Sequence, residues 1–215
     1  MTPALRKLAI TAHVSFSIGW VGAIAAFLVL SIAGLTSNSA DVVRGAYISM
    51  DLIGRFAILP LCFAALATGL IQALGTPWGL MRYYWVLIKF GLTIVATILL
   101  LQHYFGAVAA AAERVSGTTG DQLFSPDLTP LKVELVRAPA LAIALLLFIA
   151  TLGVYKPWGL TAYGRRRLQE QGKTAHETHY ETPLGVKLFL ALCALVVLMV
   201  VVLHLTGHGL GGHGH

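Results

Sequence analysis

Five long apolar runs, separated by short polar stretches, dominate the hydropathy pattern of this chain. They lie at about residues 8–35, 47–74, 83–106, 136–155 and 184–205. Each run reaches the roughly 20 residues that a helix needs to cross about 30 Å of hydrocarbon. None alternates apolar and polar residues with a period of two, as the strands of a membrane barrel do. The pattern therefore predicts an all-α integral membrane bundle of five helices.

The stretches between the runs carry residues typical of turns, such as Thr36-Ser37-Asn38-Ser39 and Gly75-Thr76-Pro77. They are too short for a separate soluble domain, so we expect one transmembrane domain over residues 1–215, ending in a flexible tail at 206–215. The first run is longer than the apolar part of a signal peptide and no small-residue cleavage site follows it. We therefore expect the first run to be retained as a helix.

Basic residues predict which way the bundle crosses the membrane. Thirteen of the fifteen lie in loops or near the ends of runs, and nine of these fall on the side of the N-terminus: Arg6, Lys7, Arg82, Lys156, Arg165, Arg166, Arg167, Lys173 and Lys187. The other four are Arg44, Arg114, Lys132 and Arg137. Because basic loops stay in the cytoplasm, the N-terminus is predicted to be cytoplasmic and the C-terminus outside.

Composition narrows the classes of function. The sequence is 57% hydrophobic and only 11% charged. We therefore attribute its net charge of +6 to the membrane topology and to contact with anionic lipid. Nucleic acid is not an expected partner. Cys62 and Cys193 are isolated within runs, without a Cys-x-x-Cys motif. Both are interpreted as small packing residues, and a thiol–disulfide relay has no support.

Ionisable side chains inside the runs are the strongest functional signal. Each costs roughly 2.5–3.5 kcal/mol on insertion scales, so its presence favours a functional role. The predicted topology sorts these residues by depth. An outer cluster contains Asp51, Arg55, His103 and His204, with Arg137 at the mouth of the fourth run, and an inner cluster contains His13 and Lys89. Asp51 and Arg55 have i, i+4 spacing and are expected to form an ion pair.

The outer cluster has the residue types of a haem site. His103 and His204 reach the same depth from different helices, and two neutral imidazoles are common axial ligands of haem iron. Arg55 and Arg137 suit the haem propionates, because guanidinium binds carboxylate in a bidentate way. The alternative is that both histidines are interfacial residues hydrogen-bonded to headgroups or water.

The inner cluster also has two interpretations. Lys89 lies near the cytoplasmic end of its run, where its ammonium could extend to the interface, and His13 could form an ordinary hydrogen bond between helices. The alternative is a proton-handling or tetrapyrrole-carboxylate site, with His13 as the titrating group.

Short motifs in the first three runs resemble a known group of proteins. They are Lys7-x5-His13-x6-Trp20-x-Gly22, Trp85-x3-Lys89, and Arg55 followed by Pro60 and Thr68-Gly69-Leu70. This set resembles the small multi-spanning protoporphyrinogen IX oxidases of bacteria and the related copper-resistance D-type membrane proteins. The segment Tyr155-Lys156-Pro157-Trp158-Gly159-Leu160-Thr161 is similar to an uncharacterised branch of that group. The resemblance implies that His13 and Lys89 are functionally essential, as a catalytic pair, that haem b is bound, and that the chain lies in the bacterial cytoplasmic membrane. It also points to His13, and not to His204, as an iron ligand, although the depth of His13 would suit only a separate inner haem.

Two functions follow as hypotheses. The first is a haem b protein acting in electron transfer or tetrapyrrole-linked oxidation, with a quinone or a protein as redox partner. The second is transport of, or resistance to, copper or another metal ion without haem, for which the histidine-rich tail at 206–215 would collect Cu²⁺ or Zn²⁺. The lipid bilayer is the expected partner in both cases, and a homo-oligomer is compatible with either.

Overall fold

The chain is all-helical in the computed structural model, which describes residues 2–75, 80–117, 121–156, 159–170 and residue 191. Seven α-helices occur in these residues: α1 (Pro3–Thr36), α2 (Ala40–Ile53), α3 (Leu59–Gly75), α4 (Tyr84–His103), α5 (Ala109–Gly117), α6 (Thr129–Tyr155) and α7 (Ala162–Glu170). Two π-helical segments, Gly54–Ile58 and Tyr104–Val108, join α2 to α3 and α4 to α5. Two short 3₁₀ turns, Asp121–Phe124 and Pro126–Leu128, precede α6.

Among the described residues, four continuous stretches of helix are long and apolar enough to cross a membrane. We call them span 1 (Pro3–Thr36), span 2 (Ala40–Gly75), span 3 (Tyr84–Val115) and span 4 (Pro126–Tyr155). The predicted helical character of the first four apolar runs is therefore confirmed. The fifth run, apart from residue 191, lies outside the described residues, as do His204 and the histidine-rich tail.

The four spans form an antiparallel bundle in which neighbours along the chain are neighbours in space. Span 1 packs against spans 2 and 4, and span 3 packs against the same two. Spans 1 and 3 therefore face each other across the bundle. Trp20, Ile24 and Phe27 are buried on span 1, while large apolar side chains such as Ile18 and Phe56 are exposed. An outward apolar surface of this kind is what lipid contact requires.

The helices are longer than the apolar runs, and the extra length builds a cap at one end. At about 1.5 Å per residue, spans of 30 to 36 residues are roughly 45–54 Å long, which exceeds the hydrocarbon thickness of about 30 Å. The extensions lie at the face opposite the N-terminus, where Val43, Leu123 and Leu135 are completely buried. Lys132 closes this cap, because its ammonium donates to the Leu123 carbonyl at 2.9 Å. The helices continue past the apolar runs here because their polar residues pack against other parts of the protein.

At the amino-terminal face, the segment after span 4 is attached to the start of span 3. Tyr83 and Leu160 form an isolated antiparallel bridge, and the Thr161 amide donates to the Arg82 carbonyl at 3.0 Å. The Thr161 hydroxyl donates to the Met81 carbonyl at 2.6 Å and accepts from the Gly164 amide at 3.0 Å. Thr161 therefore caps α7 and fixes it beside span 3.

We expect Gly164→Ala to detach α7, because a methyl group there would lie 2.3 Å from the Arg82 backbone oxygen. The backbone cannot give way as a flexible side chain would, and overpacking costs about 1–3 kcal/mol. Trypsin cleavage after Arg165–Arg167 should accelerate roughly fivefold or more, the equivalent of about 1 kcal/mol. Gly45→Ala is the control, since nothing lies within 4 Å of its added methyl. Equal cleavage rates would contradict this docking.

Candidate functional site

The inner cluster is built where span 1 meets span 2. The Nδ1 atom of His13 lies 3.1 Å from the Ala65 carbonyl oxygen and 3.2 Å from the Thr68 hydroxyl oxygen. Gly69 leaves room for the imidazole, because a methyl group there would lie 3.1 Å from His13 Cε1. The His13 ring therefore packs against Thr68 and Gly69.

These contacts define the protonation of the His13 ring. The Thr68 hydroxyl donates its proton to the Ala64 carbonyl at 2.6 Å, so its oxygen is left as an acceptor. Both neighbours of His13 Nδ1 are then acceptors, and Nδ1 carries the proton. In the neutral ring, Nε2 is the nitrogen with the free lone pair, and it makes no hydrogen bond to the described residues. This is the arrangement that prepares a histidine to accept a proton or bind a metal.

Lys89 completes the inner cluster from span 3. Its ammonium lies against span 4, where a methyl group on Gly153 would stand 2.9 Å from Nζ. It also interacts electrostatically with His13, which lies across the bundle. The structure therefore places His13 and the half-buried Lys89 on opposite spans, close enough to interact electrostatically. Such a pair can hold a carboxylate and move a proton next to it.

The outer cluster contains a hydrogen-bonded triad between spans 2 and 3. Arg55 Nε lies 3.1 Å from Asp51 Oδ2, which confirms the predicted ion pair. The Tyr104 hydroxyl donates to Asp51 Oδ1 at 2.8 Å and accepts from Arg55 Nε at 2.8 Å. The buried phenol therefore holds both partners of the pair in one geometry.

Both π-helical segments begin at this triad. Gly54 starts the segment of span 2 and Tyr104 starts the segment of span 3, and the Tyr104 ring packs on the Gly54 backbone. A π-helical turn accommodates one extra residue and changes which side chains face the neighbouring helix. These turns are frequent at functional sites. Because both π-helical segments meet at the contact between Gly54 and Tyr104, the outer cluster differs from the rest of the described bundle.

Gly54→Ala is expected to disrupt the triad, because the added methyl would lie 2.5 Å from Tyr104 Cε2. The ring would be forced away from Asp51, and the free energy of unfolding in detergent should fall by about 1–3 kcal/mol. The matched control is Gly91→Ala on span 3, where nothing lies within 4 Å of the added methyl. A Gly54→Ala protein as stable as the control would contradict the close packing of Tyr104.

His103 lies next to the triad but faces span 4. Its Nε2 atom is buried and has no hydrogen-bond partner among the described residues. Glu134 and Arg137 of span 4 are close enough to interact with the ring electrostatically. A buried polar atom without a partner costs about 1–3 kcal/mol. A bond to a metal ion or a hydrogen bond to another group would satisfy this nitrogen.

The two arginines assigned to haem propionates already have acidic partners. Arg55 is paired with Asp51, and Arg137 donates to Glu134 through one terminal nitrogen. Each guanidinium has further N–H groups that can donate to another acceptor. Arg55 and Arg137 lie on different spans, on either side of span 3. His204, the other predicted iron ligand, lies outside the described residues.

Sequence reasoning missed Tyr104 and Glu134, and it named Thr68 only as part of a motif, without a contact. The Glu134–Arg137 pair has the i, i+3 spacing of a helical ion pair, and this spacing can be recognised in the sequence. Tyr104 and Thr68 act through contacts between helices, and spacing along one chain does not reveal these. Among the described residues, no three His, Cys, Asp or Glu side chains form a group that could hold a metal ion.

Comparisons with family models, curated proteins and solved structures gave no match to this chain. The functional proposal therefore rests on the chemistry of the two clusters.

Proposed function

We propose that this chain is a haem b-binding integral membrane protein that transfers electrons or oxidises a tetrapyrrole substrate. The observation that supports it most is the buried, unpartnered Nε2 of His103. His103 would supply one axial nitrogen and His204, in the predicted fifth helix, the other. Arg137 would hold a propionate through N–H groups that Glu134 leaves free. Bound haem would supply one-electron chemistry at iron.

The inner cluster suits the substrate side of this proposal. The Lys89 ammonium, seated against Gly153, would hold a tetrapyrrole carboxylate inside the bundle. His13 Nε2 would accept a proton from the bound molecule, while Nδ1–H stays on the Ala65 carbonyl and keeps the ring oriented. These roles agree with the resemblance of the His13 and Lys89 motifs to the protoporphyrinogen IX oxidases of bacteria.

Titration of haemin into protein purified from haem-deficient cells tests the proposal. We expect saturable binding that converts the haemin spectrum to that of a six-coordinate, low-spin species. Linear, non-saturating partition of haemin into the detergent micelle would contradict it. The control is an unrelated multi-span membrane protein in the same detergent.

We also propose that the bundle lies in a bacterial cytoplasmic membrane with five spanning helices, a cytoplasmic N-terminus and an outer C-terminus. The excess of basic residues on the amino-terminal side supports this orientation. The three consecutive arginines Arg165–Arg167, which α7 leaves exposed, would then meet the anionic inner leaflet.

Cysteine labelling tests the orientation. Asn38→Cys and Gln169→Cys place one exposed thiol at each face, in a background of Cys62→Ala and Cys193→Ala. A membrane-impermeant maleimide should label Asn38→Cys in intact spheroplasts and Gln169→Cys only after the membrane is broken. The reverse pattern would contradict the proposed orientation.

A further inference from the structure

The Asp51–Arg55–Tyr104 triad is open on one side. The Arg55 side chain is 57% exposed, whereas that of Asp51 is 17% exposed. Only Nε of Arg55 is used within the triad, and its terminal nitrogens make no hydrogen bond to the described residues. Arg55 therefore presents unused N–H donors at the surface of the bundle, beside the carboxylate of Asp51.

The surface around this opening is apolar. Ile48, Leu52 and Phe56 follow one another at every fourth position of span 2, and all three are exposed. Phe56 directly follows Arg55 and is 76% exposed. This stripe belongs to a helix that is apolar enough to cross the membrane, so lipid chains are its natural surroundings. A molecule that reaches Arg55 along the stripe must itself be soluble in lipid.

The charges of the triad indicate what the head of that molecule is. Asp51 and Arg55 neutralise each other, so an anionic phosphate would meet the carboxylate as well as the guanidinium. A neutral head with carbonyl oxygens can accept hydrogen bonds from Arg55, and its hydroxyl form can donate to Asp51. We propose that this opening binds the head of an isoprenoid quinone, with the tail along Ile48, Leu52 and Phe56.

This inference rests on the proposed function, because it names the class of lipid-soluble partner that a membrane redox protein requires. Tyr104 is a positioning residue in it: its hydroxyl is hydrogen-bonded to Asp51 and Arg55, both at 2.8 Å. It also directly follows His103, the proposed iron ligand. The quinone opening and the proposed haem ligand are thus adjacent along span 3.

Photolabelling in phosphatidylcholine vesicles tests the inference with an azido-benzoquinone that carries a decyl chain. We expect labelled peptides from residues 48–56, and competition by unlabelled decyl-benzoquinone but not by phosphatidylglycerol. Arg55→Gln should weaken binding about tenfold, as expected for the loss of hydrogen bonds from a charged group. Arg167→Gln is the matched control, since Arg167 is an exposed arginine paired with Glu170 at 3.7 Å.

Tyr104→Phe keeps the ring on Gly54 and removes only the hydroxyl, so it should weaken labelling with little change in stability. Labelling elsewhere, competition by phosphatidylglycerol instead of quinone, or equal affinity in Arg55→Gln would overturn the inference. The readout does not involve haem. Colourless protein that is labelled at this opening would overturn the haem proposal alone, and red protein without such labelling would overturn the quinone site alone.

Discussion

His103→Ala is expected to remove bound haem b from the purified protein. The substitution deletes the buried Nε2 atom, which has no hydrogen-bond partner in the described part of the bundle. Loss of an axial ligand should exceed the roughly 10–100-fold loss of affinity that outer-shell substitutions cause at metal sites. Haem content, measured per mole of protein, should therefore fall close to background, and any residual haem should lose its low-spin spectrum.

His13→Ala is the informative comparison for this experiment. Its ring lies at the other end of the bundle, held by Ala65 and Thr68 of span 2, so the substitution should leave the low-spin haem in place. If His13→Ala removes the haem while His103→Ala retains it, the iron site belongs to the inner cluster and the assignment to His103 is wrong.

Lys89→Met is expected to abolish discrimination between protoporphyrin IX and its dimethyl ester. The wild-type ammonium, seated against Gly153, should favour the free acid because only that form carries carboxylates. Hydrogen bonds to charged groups contribute about 1.5–3 kcal/mol, so we expect a preference of about 10–100-fold. Methionine preserves length and apolar packing but removes the charge. The two affinities can be measured by porphyrin fluorescence.

Two further variants are controls for the Lys89→Met result. Lys89→Arg keeps a cation and should retain a preference for the free acid, although it alters the geometry. Lys7→Met removes an exposed lysine from the first turns of span 1 and should change neither affinity. If Lys89→Met and Lys7→Met both preserve the wild-type preference, Lys89 is only an interfacial lysine.

The apolar pattern predicted most of the described fold. Runs of more than 20 apolar residues have few alternatives to a spanning helix, because backbone groups must be hydrogen-bonded internally in lipid. The cap was not predicted, since its helices carry charged residues such as Lys132, whose ammonium is bound by the Leu123 carbonyl. Hydropathy marks the end of the apolar run, whereas the helix continues until its packing ends.

The candidate residues were identified because ionisable side chains are costly in a membrane. That cost does not indicate which residues they contact. The i, i+4 spacing of Asp51 and Arg55 gave the ion pair directly. Tyr104 entered the same cluster through a contact between spans 2 and 3, which depends on where each π-helical turn lies. A π-helical turn needs no particular residue, so periodicity did not indicate it.

The visible absorption spectrum of wild-type protein from haem-replete cells tests the central proposal most directly. We expect a Soret band and, after reduction, the resolved α and β bands of a six-coordinate b-type haem. A colourless protein, with or without bound copper, would contradict it.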